Sequence, residues 1–239
     1  MFGGSVYDKV VALGQWCAVA MAMKKCGLRS ESGPFDWMGG GRPIGSYVDM
    51  LTTNFAGFFL KENMKKLGDV PGEGTEHWQD TKLGWEIRHE FRADVPFDVN
   101  YANFHALVAR RGERLFETLR SGERLLFVHW LAEGRYRQEE VVAAIRRLRA
   151  AFPGPTIDLL VIETEKFSKD VSYDELEPGV VRVVGDFYDQ KRFNAVQGNS
   201  KLACAVLGRV RLRGKWKNVV HLKLASLRKR LGRVFGGRK

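Results

Sequence analysis

Leu125-Leu126-Phe127-Val128, residues 138–152 and Ile157-Asp158-Leu159-Leu160-Val161-Ile162 follow one another as an apolar run, an amphipathic helical pattern and a second apolar run. Short runs without polar alternation are what strands buried on both faces look like, and a helix between two of them makes a βα unit with parallel strands. Val180-Val181-Arg182-Val183-Val184 adds another such strand downstream, and Val10-Val11-Ala12-Leu13 adds one near the start. The reading is an α/β fold: an open, mainly parallel sheet with helices on both faces. In such sheets sites lie beyond the carboxyl ends of the strands, which is where Cys17, His129, Glu163 and Asp186 fall.

The 239 residues, 44% of them hydrophobic, suffice for one large domain. The three cysteines, Cys17, Cys26 and Cys204, are odd in number, far apart and in no CxxC pair. That pattern predicts free thiols in a reducing compartment and no zinc site. No GxGxxG follows Gly14 and no Walker A lysine motif is present, so neither cofactor nor metal is expected. No run approaches the ~18 apolar residues of a spanning helix, and Asp8 and Lys9 stand where a basic leader would be; the expected location is cytoplasmic.

The net charge of +11 is concentrated at one end. Residues 209–239 hold twelve Lys and Arg and no acid, which leaves 27 basic against 28 acidic groups in 1–208, a net of −1. The expected organisation is one α/β domain over 1–208 and a basic amphipathic tail over 209–239. Trp216, Val220, Leu224, Leu227, Leu231 and Val234 follow one another at helical spacing, with Lys223, Arg228, Lys229, Arg230 and Arg233 mostly off that stripe. A basic face, an apolar face and a terminal tryptophan describe an interfacial helix, so an anionic membrane surface is the expected partner, at the inner face of the membrane. Nucleic acid is the disfavoured partner, because binding phosphates needs no apolar stripe. Packing of the stripe on the body is the plain structural alternative.

Leu13-Gly14-Gln15-Trp16-Cys17 breaks an apolar run at a glycine and continues as a helical pattern, so Cys17 falls where strand hands over to helix. The N–H groups and dipole of a first helical turn favour thiolate. The alternative makes Cys17 a small buried hydrophobe beside Val19, Ala20 and Met23. Pro34-Phe35-Asp36-Trp37 sits inside a loop rich in glycine, proline and serine; its aromatics imply that the loop packs and brings Asp36 and Trp37 to defined places, unless Asp36 only caps a turn. On a two-residue period Trp85, Ile87, His89 and Phe91 share a face, making His89 either a core histidine or a general base in a cleft. A helical pattern over 100–120 carries Arg110, Arg111 and Arg114, a solvated basic face or a grip for phosphate or carboxylate.

Leu13-Gly14-x-x-Cys17, Gly27-Leu28-Arg29, Pro34-Phe35-Asp36-Trp37, His89-Glu90-Phe91 and Arg110-Arg111, in that order, resemble a bacterial family of unknown function labelled as papain-like cysteine peptidases. The resemblance spans most of 7–190, with His-Glu-Phe where the family is expected to have His-Asp-Phe. It implies Cys17 as nucleophile and His89 as base, with a third polar residue, for which Asp36 is the candidate, orienting the imidazole. A backbone N–H after Cys17, aided by Gln15, would then stabilise an oxyanion. Trp37, Arg110, Arg111 and Asp186 complete the candidate substrate-binding set. The leading reading is a membrane-surface hydrolase or acyl/amide transferase. Beside it stand a transferase acting on surface-glycan or lipid-linked precursors, with Cys17 structural, and a non-enzymatic membrane adaptor.

Overall fold

The computed structural model describes residues 5–14, 16–131, 135–165, 167–168, 170–187 and 205–213, with the Trp16 side chain excepted. In chain order the elements are β1 (Val6–Tyr7), β2 (Lys9–Ala12), α1 (Trp16–Lys25), β3 (Met38–Gly39), α2 (Ile44–Thr52), a 3-10 turn (Lys61–Asn63), β4 (Met64–Val70), β5 (Thr75–Asp80), β6 (Glu86–Arg92), α3 (Phe97–Arg120), β7 (Arg124–Leu131), α4 (Gln138–Ala151), β8 (Thr156–Thr164), β9 (Ser172–Glu177), β10 (Val180–Gly185) and β11 (Arg211–Leu212).

The main sheet runs β2-β7-β8-β10-β9, parallel throughout except for β9. Strict alternation along its strands divides the core in two. Val11, Leu13, Leu125, Phe127, Ile157, Leu159, Val161 and Val180 face one way, onto a layer that includes Val141, Ala144, Ile145 and Leu148 of α4 and the buried residues of α2 and α3. Val10, Ala12, Leu126, Val128, Trp130, Leu160, Ile162, Val181 and Val183 face the other way, onto Ala18, Val19, Ala22 and Met23 of α1. Helices therefore cover both faces, and this double burial is why the strands read as continuous apolar runs.

A second sheet, β3-β6-β5-β4, is antiparallel and enters the chain between α1 and α3. Only β6 of it is visible in the sequence pattern. Strand β4, Met-Lys-Lys-Leu-Gly-Asp-Val, has no buried residue and offers no periodicity to read. The inner face, carried by Met38, Ile87 and Phe91, closes over Phe104 of α3.

Two findings qualify the sequence reading. Cys26 is disulfide-bonded, which corrects the expectation of free thiols throughout; its partner sulfur is outside the described residues, as is Cys204. Local spacing gave no hint of a bridge, since Cys26 sits in the turn after α1 with no cysteine near it in sequence. The body also continues past Arg209: Val210 and Leu212 are buried in the α1-side core, and β11 pairs in parallel with β1. The apolar stripe and basic face of the tail, Trp216, Leu224, Leu227, Arg228, Lys229, Arg230, Leu231 and Arg233 among them, lie outside the described residues. No described helix is long and apolar enough to cross a membrane.

Candidate active site

The carboxyl end of β2 is built as a sharp elbow. Leu13 donates its N–H to the Val128 carbonyl at 2.8 Å, Gly14 turns into the left-handed region at φ 63°, and α1 starts at Trp16. A Cβ on Gly14 would meet the Tyr47 ring at 2.5 Å, so the backbone lies directly on that ring and only glycine fits. Below the elbow, His129 is buried between two hydrogen-bond partners: its Nδ1 is 2.9 Å from the Leu13 carbonyl and its Nε2 2.9 Å from Tyr136 Oη. A carbonyl can only accept, so Nδ1 carries the proton and Tyr136 donates to Nε2. Burial holds the imidazole neutral, with its pKa pushed down to about 4. His129 is thus a satisfied core histidine that ties the elbow to β7.

Cys17 occupies the first turn of α1, half-buried and outside any disulfide. Its pKa is raised, chiefly by burial, with its own backbone N–H acting downward and the charge of Glu73 acting upward. The helix N-terminus alone was expected to favour thiolate; desolvation outweighs it here, so activation of this sulfur requires a neighbouring base.

The candidate base is delivered by an irregularity in β6. On β5, Glu76 pairs with Phe91 and Trp78 with Ile87, so the single residue His77 opposes three, Arg88, His89 and Glu90. This bulge corrects the period-two reading. Ile87 and Phe91 remain buried, but His89 is turned out of their face and its side chain is 41% exposed. Glu90 is turned inward, where burial raises its pKa against the opposing charge of Arg111. The exposed imidazole has Glu73 Oε2 at 2.9 Å from Nδ1 and the Trp37 ring edge-on, centroids 5.6 Å apart. Glu73 comes from the tight turn between β4 and β5, which the Pro71-Gly72 pair marks in the sequence only as a turn.

The Pro34-Phe35-Asp36-Trp37 loop packs as its aromatics demanded. Phe35 is buried against Tyr47, Phe55 and Trp85. Asp36 is buried too, but its carboxylate is held by the Arg29 guanidinium and by the Gly33 N–H at 2.9 Å. Burial raises its pKa while Arg29, Gly33 and Arg111 act the other way. The acid on His89 Nδ1 is therefore Glu73 and not Asp36, whose role is to close the loop; Arg29, the residue that makes this so, enters the sequence reading only as the end of the Gly27-Leu28-Arg29 motif, with no role attached.

The remaining candidates scatter. Arg110 is exposed, whereas Arg111 on the next face of α3 turns toward Glu90 and Asp36, so the two do not form one grip. Asp186, just past β10, accepts the Phe167 N–H at 3.1 Å. Glu163 is buried at the end of β8 with one oxygen accepting the Tyr136 N–H at 3.0 Å, and burial raises its pKa. Gln15 lies outside the described residues. Among the described residues no group of His, Cys, Asp and Glu could hold a metal ion.

The profile of a family described as "Putative papain-like cysteine peptidase (DUF1796)" matches residues 8–162, from β2 through most of β8, which takes in Cys17, the Asp36 loop, Glu73, His89 and Arg111 but not Glu163 or Asp186. The chain belongs to this family. An uncharacterized protein of Acanthamoeba polyphaga mimivirus is 27% identical over 133 residues, covering 49% of this chain and 59% of the viral protein. The aligned part thus spans under two thirds of that relative's length. No solved structure matches. The elbow, the Phe35–Trp37 loop and the β6 bulge of this chain lie in the region that the family match covers, and the tail lies beyond it.

Proposed function

We propose that the protein is a cysteine-nucleophile hydrolase or acyl/amide transferase in which Cys17 attacks and His89 shuttles the proton. One observation carries the reading: the β6 bulge turns the His89 imidazole out of its strand's apolar face and sets the Glu73 carboxylate 2.9 Å from Nδ1, within the family-matched region that also holds Cys17 at the elbow. The Glu73 carboxylate can only accept, which puts the His89 proton on Nδ1 and leaves Nε2 basic. Nε2 takes the thiol proton; the thiolate adds to an acyl carbon, and the imidazolium returns the proton to the departing amine or alcohol. A thioester on Cys17 remains, which water resolves in hydrolysis and a second nucleophile resolves in transfer. In this reading the N–H groups of the first turn of α1 receive the developing oxyanion.

Alkylation by iodoacetamide, located by mass spectrometry, tests this without a known substrate. At neutral pH the Cys17 adduct is expected to form about tenfold more slowly in His89→Ala than in the wild type, and to be absent in Cys17→Ser. Equal rates in the wild type and His89→Ala would overturn the proposal.

The tail is proposed to hold the protein on an anionic membrane. Twelve basic residues and an apolar stripe at helical spacing support the reading. Removal of 214–239, which leaves β11 in place, is expected to abolish sedimentation with vesicles containing phosphatidylserine. Undiminished sedimentation of the truncated protein would exclude the tail as the anchor.

A further inference from the structure

Resting on the proposed Cys17–His89 chemistry, we infer that Glu73, at the tip of the β4–β5 turn, is the positioning residue that fixes the tautomer and orientation of His89. Three observations meet on it. Glu73 Oε2 lies 2.9 Å from Nδ1, while Asp36 is committed to Arg29 and Gly33. The Trp37 ring stands edge-on to the imidazole, so the ring is bounded by an aromatic from the loop and an acid from the turn. Finally, the bulge that exposes His89 turns Glu90 inward beside Arg111, while the strand's other acid, Glu86, is engaged by His77 at 2.9 Å, which leaves Glu73 as the carboxylate facing Nδ1.

Stability does not account for this pair. The His89 and Glu73 side chains are 41% and 46% exposed, and ion pairs so placed contribute little to folding. What the pair sets is geometry. With Nδ1–H directed at Glu73, Nε2 is the nitrogen left for the sulfur, and an imidazolium formed by taking the Cys17 proton has its charge balanced by the same carboxylate.

A carboxylate beside a thiol has two opposite effects, and the experiment separates them. Acting directly, Glu73 opposes ionisation of Cys17, so its removal should speed alkylation. Acting through His89, it promotes proton transfer from the sulfur, so its removal should slow alkylation. Glu73→Gln is expected to slow alkylation of Cys17 at neutral pH about fivefold, whereas the same substitution in a His89→Ala background is expected to speed it, because only the direct effect survives there. Nitrogen-15 shifts of His89 give a second readout: one Nδ1-protonated tautomer in the wild type and a mixture in Glu73→Gln. Glu73→Asp is expected to keep the single tautomer. A Glu73→Gln protein that reacts as fast as the wild type, or keeps the single tautomer, overturns the assignment of Glu73 while leaving Cys17 and His89 intact. Equal rates in the wild type and His89→Ala would instead remove the underlying reading.

Discussion

Gly14→Ala is expected to destabilise the protein by about 3 kcal/mol, from about 1–2 kcal/mol for holding a side-chain-bearing residue in the left-handed region and a comparable cost of overpacking. The second part arises because the new methyl would sit 2.5 Å from the Tyr47 ring, and that ring has no direction in which to yield. Tyr47 is wholly buried, with Trp85 at 4.6 Å, His129 at 5.1 Å and Phe35 at 5.3 Å between ring centroids. Gly27 supplies the control. It has φ 71°, and nothing lies within 4 Å of its ideal Cβ, so Gly27→Ala carries the backbone cost without the collision and should lose only about 1–2 kcal/mol. Urea unfolding of the two variants measures the difference directly. Equal losses would mean that the Tyr47 wall is not what shapes the elbow. In the folded fraction of Gly14→Ala, the start of α1 must shift away from Tyr47, and slower alkylation of Cys17 is expected with it.

The main sheet could be read from the sequence because its strands are buried on both faces, which writes apolar residues at consecutive positions. Leu125 to Val128, Ile157 to Ile162 and Val180 to Val184 were enough to establish the alternation with α4. The antiparallel sheet left almost no trace, since β4 exposes or half-exposes all seven of its residues. Residue types marked Cys17, His89 and the Phe35–Trp37 loop, but not how they meet. Period two places His89 beside Ile87 and Phe91 on an apolar face; two extra residues in β6 turn it out, and a register shift of that kind has no signature in composition. Asp36 was the obvious acid because its aromatic neighbours promised burial. Burial is why Asp36 needs Arg29, and that partnership leaves the imidazole to a glutamate in a turn whose proline and glycine suggested only a change of direction.

The elbow and the bulge belong to different sheets, and a buried polar chain joins the first of them to the helical layer. Tyr136 Oη, within reach of the Ile44 N–H at the start of α2, donates to His129, which donates to the Leu13 carbonyl. This chain works only while His129 is neutral, because an imidazolium would turn Nε2 from acceptor to donor. Its consequence is a dependence of stability on pH. The unfolded chain binds a proton on this residue near the ordinary value of 6.5, whereas the folded protein resists until about pH 4. Between those values the unfolded state holds more protons, so the contribution of His129 is complete above 6.5 and is lost as pH falls toward 4. From pH 7 to pH 5 the loss from this residue is expected to be about 2 kcal/mol. Asp36, Glu90 and Glu163, whose pKa values burial raises, act in the opposite sense over the acidic range, since each takes up its proton earlier in the folded state. The comparison must therefore be internal. His129→Asn keeps a side-chain N–H near the Leu13 carbonyl and cannot titrate, so it should be less stable than the wild type at pH 7, yet lose about 2 kcal/mol less than the wild type between pH 7 and pH 5 by urea unfolding. Parallel losses in the two proteins would show that His129 is not the buried base that makes the elbow acid-sensitive.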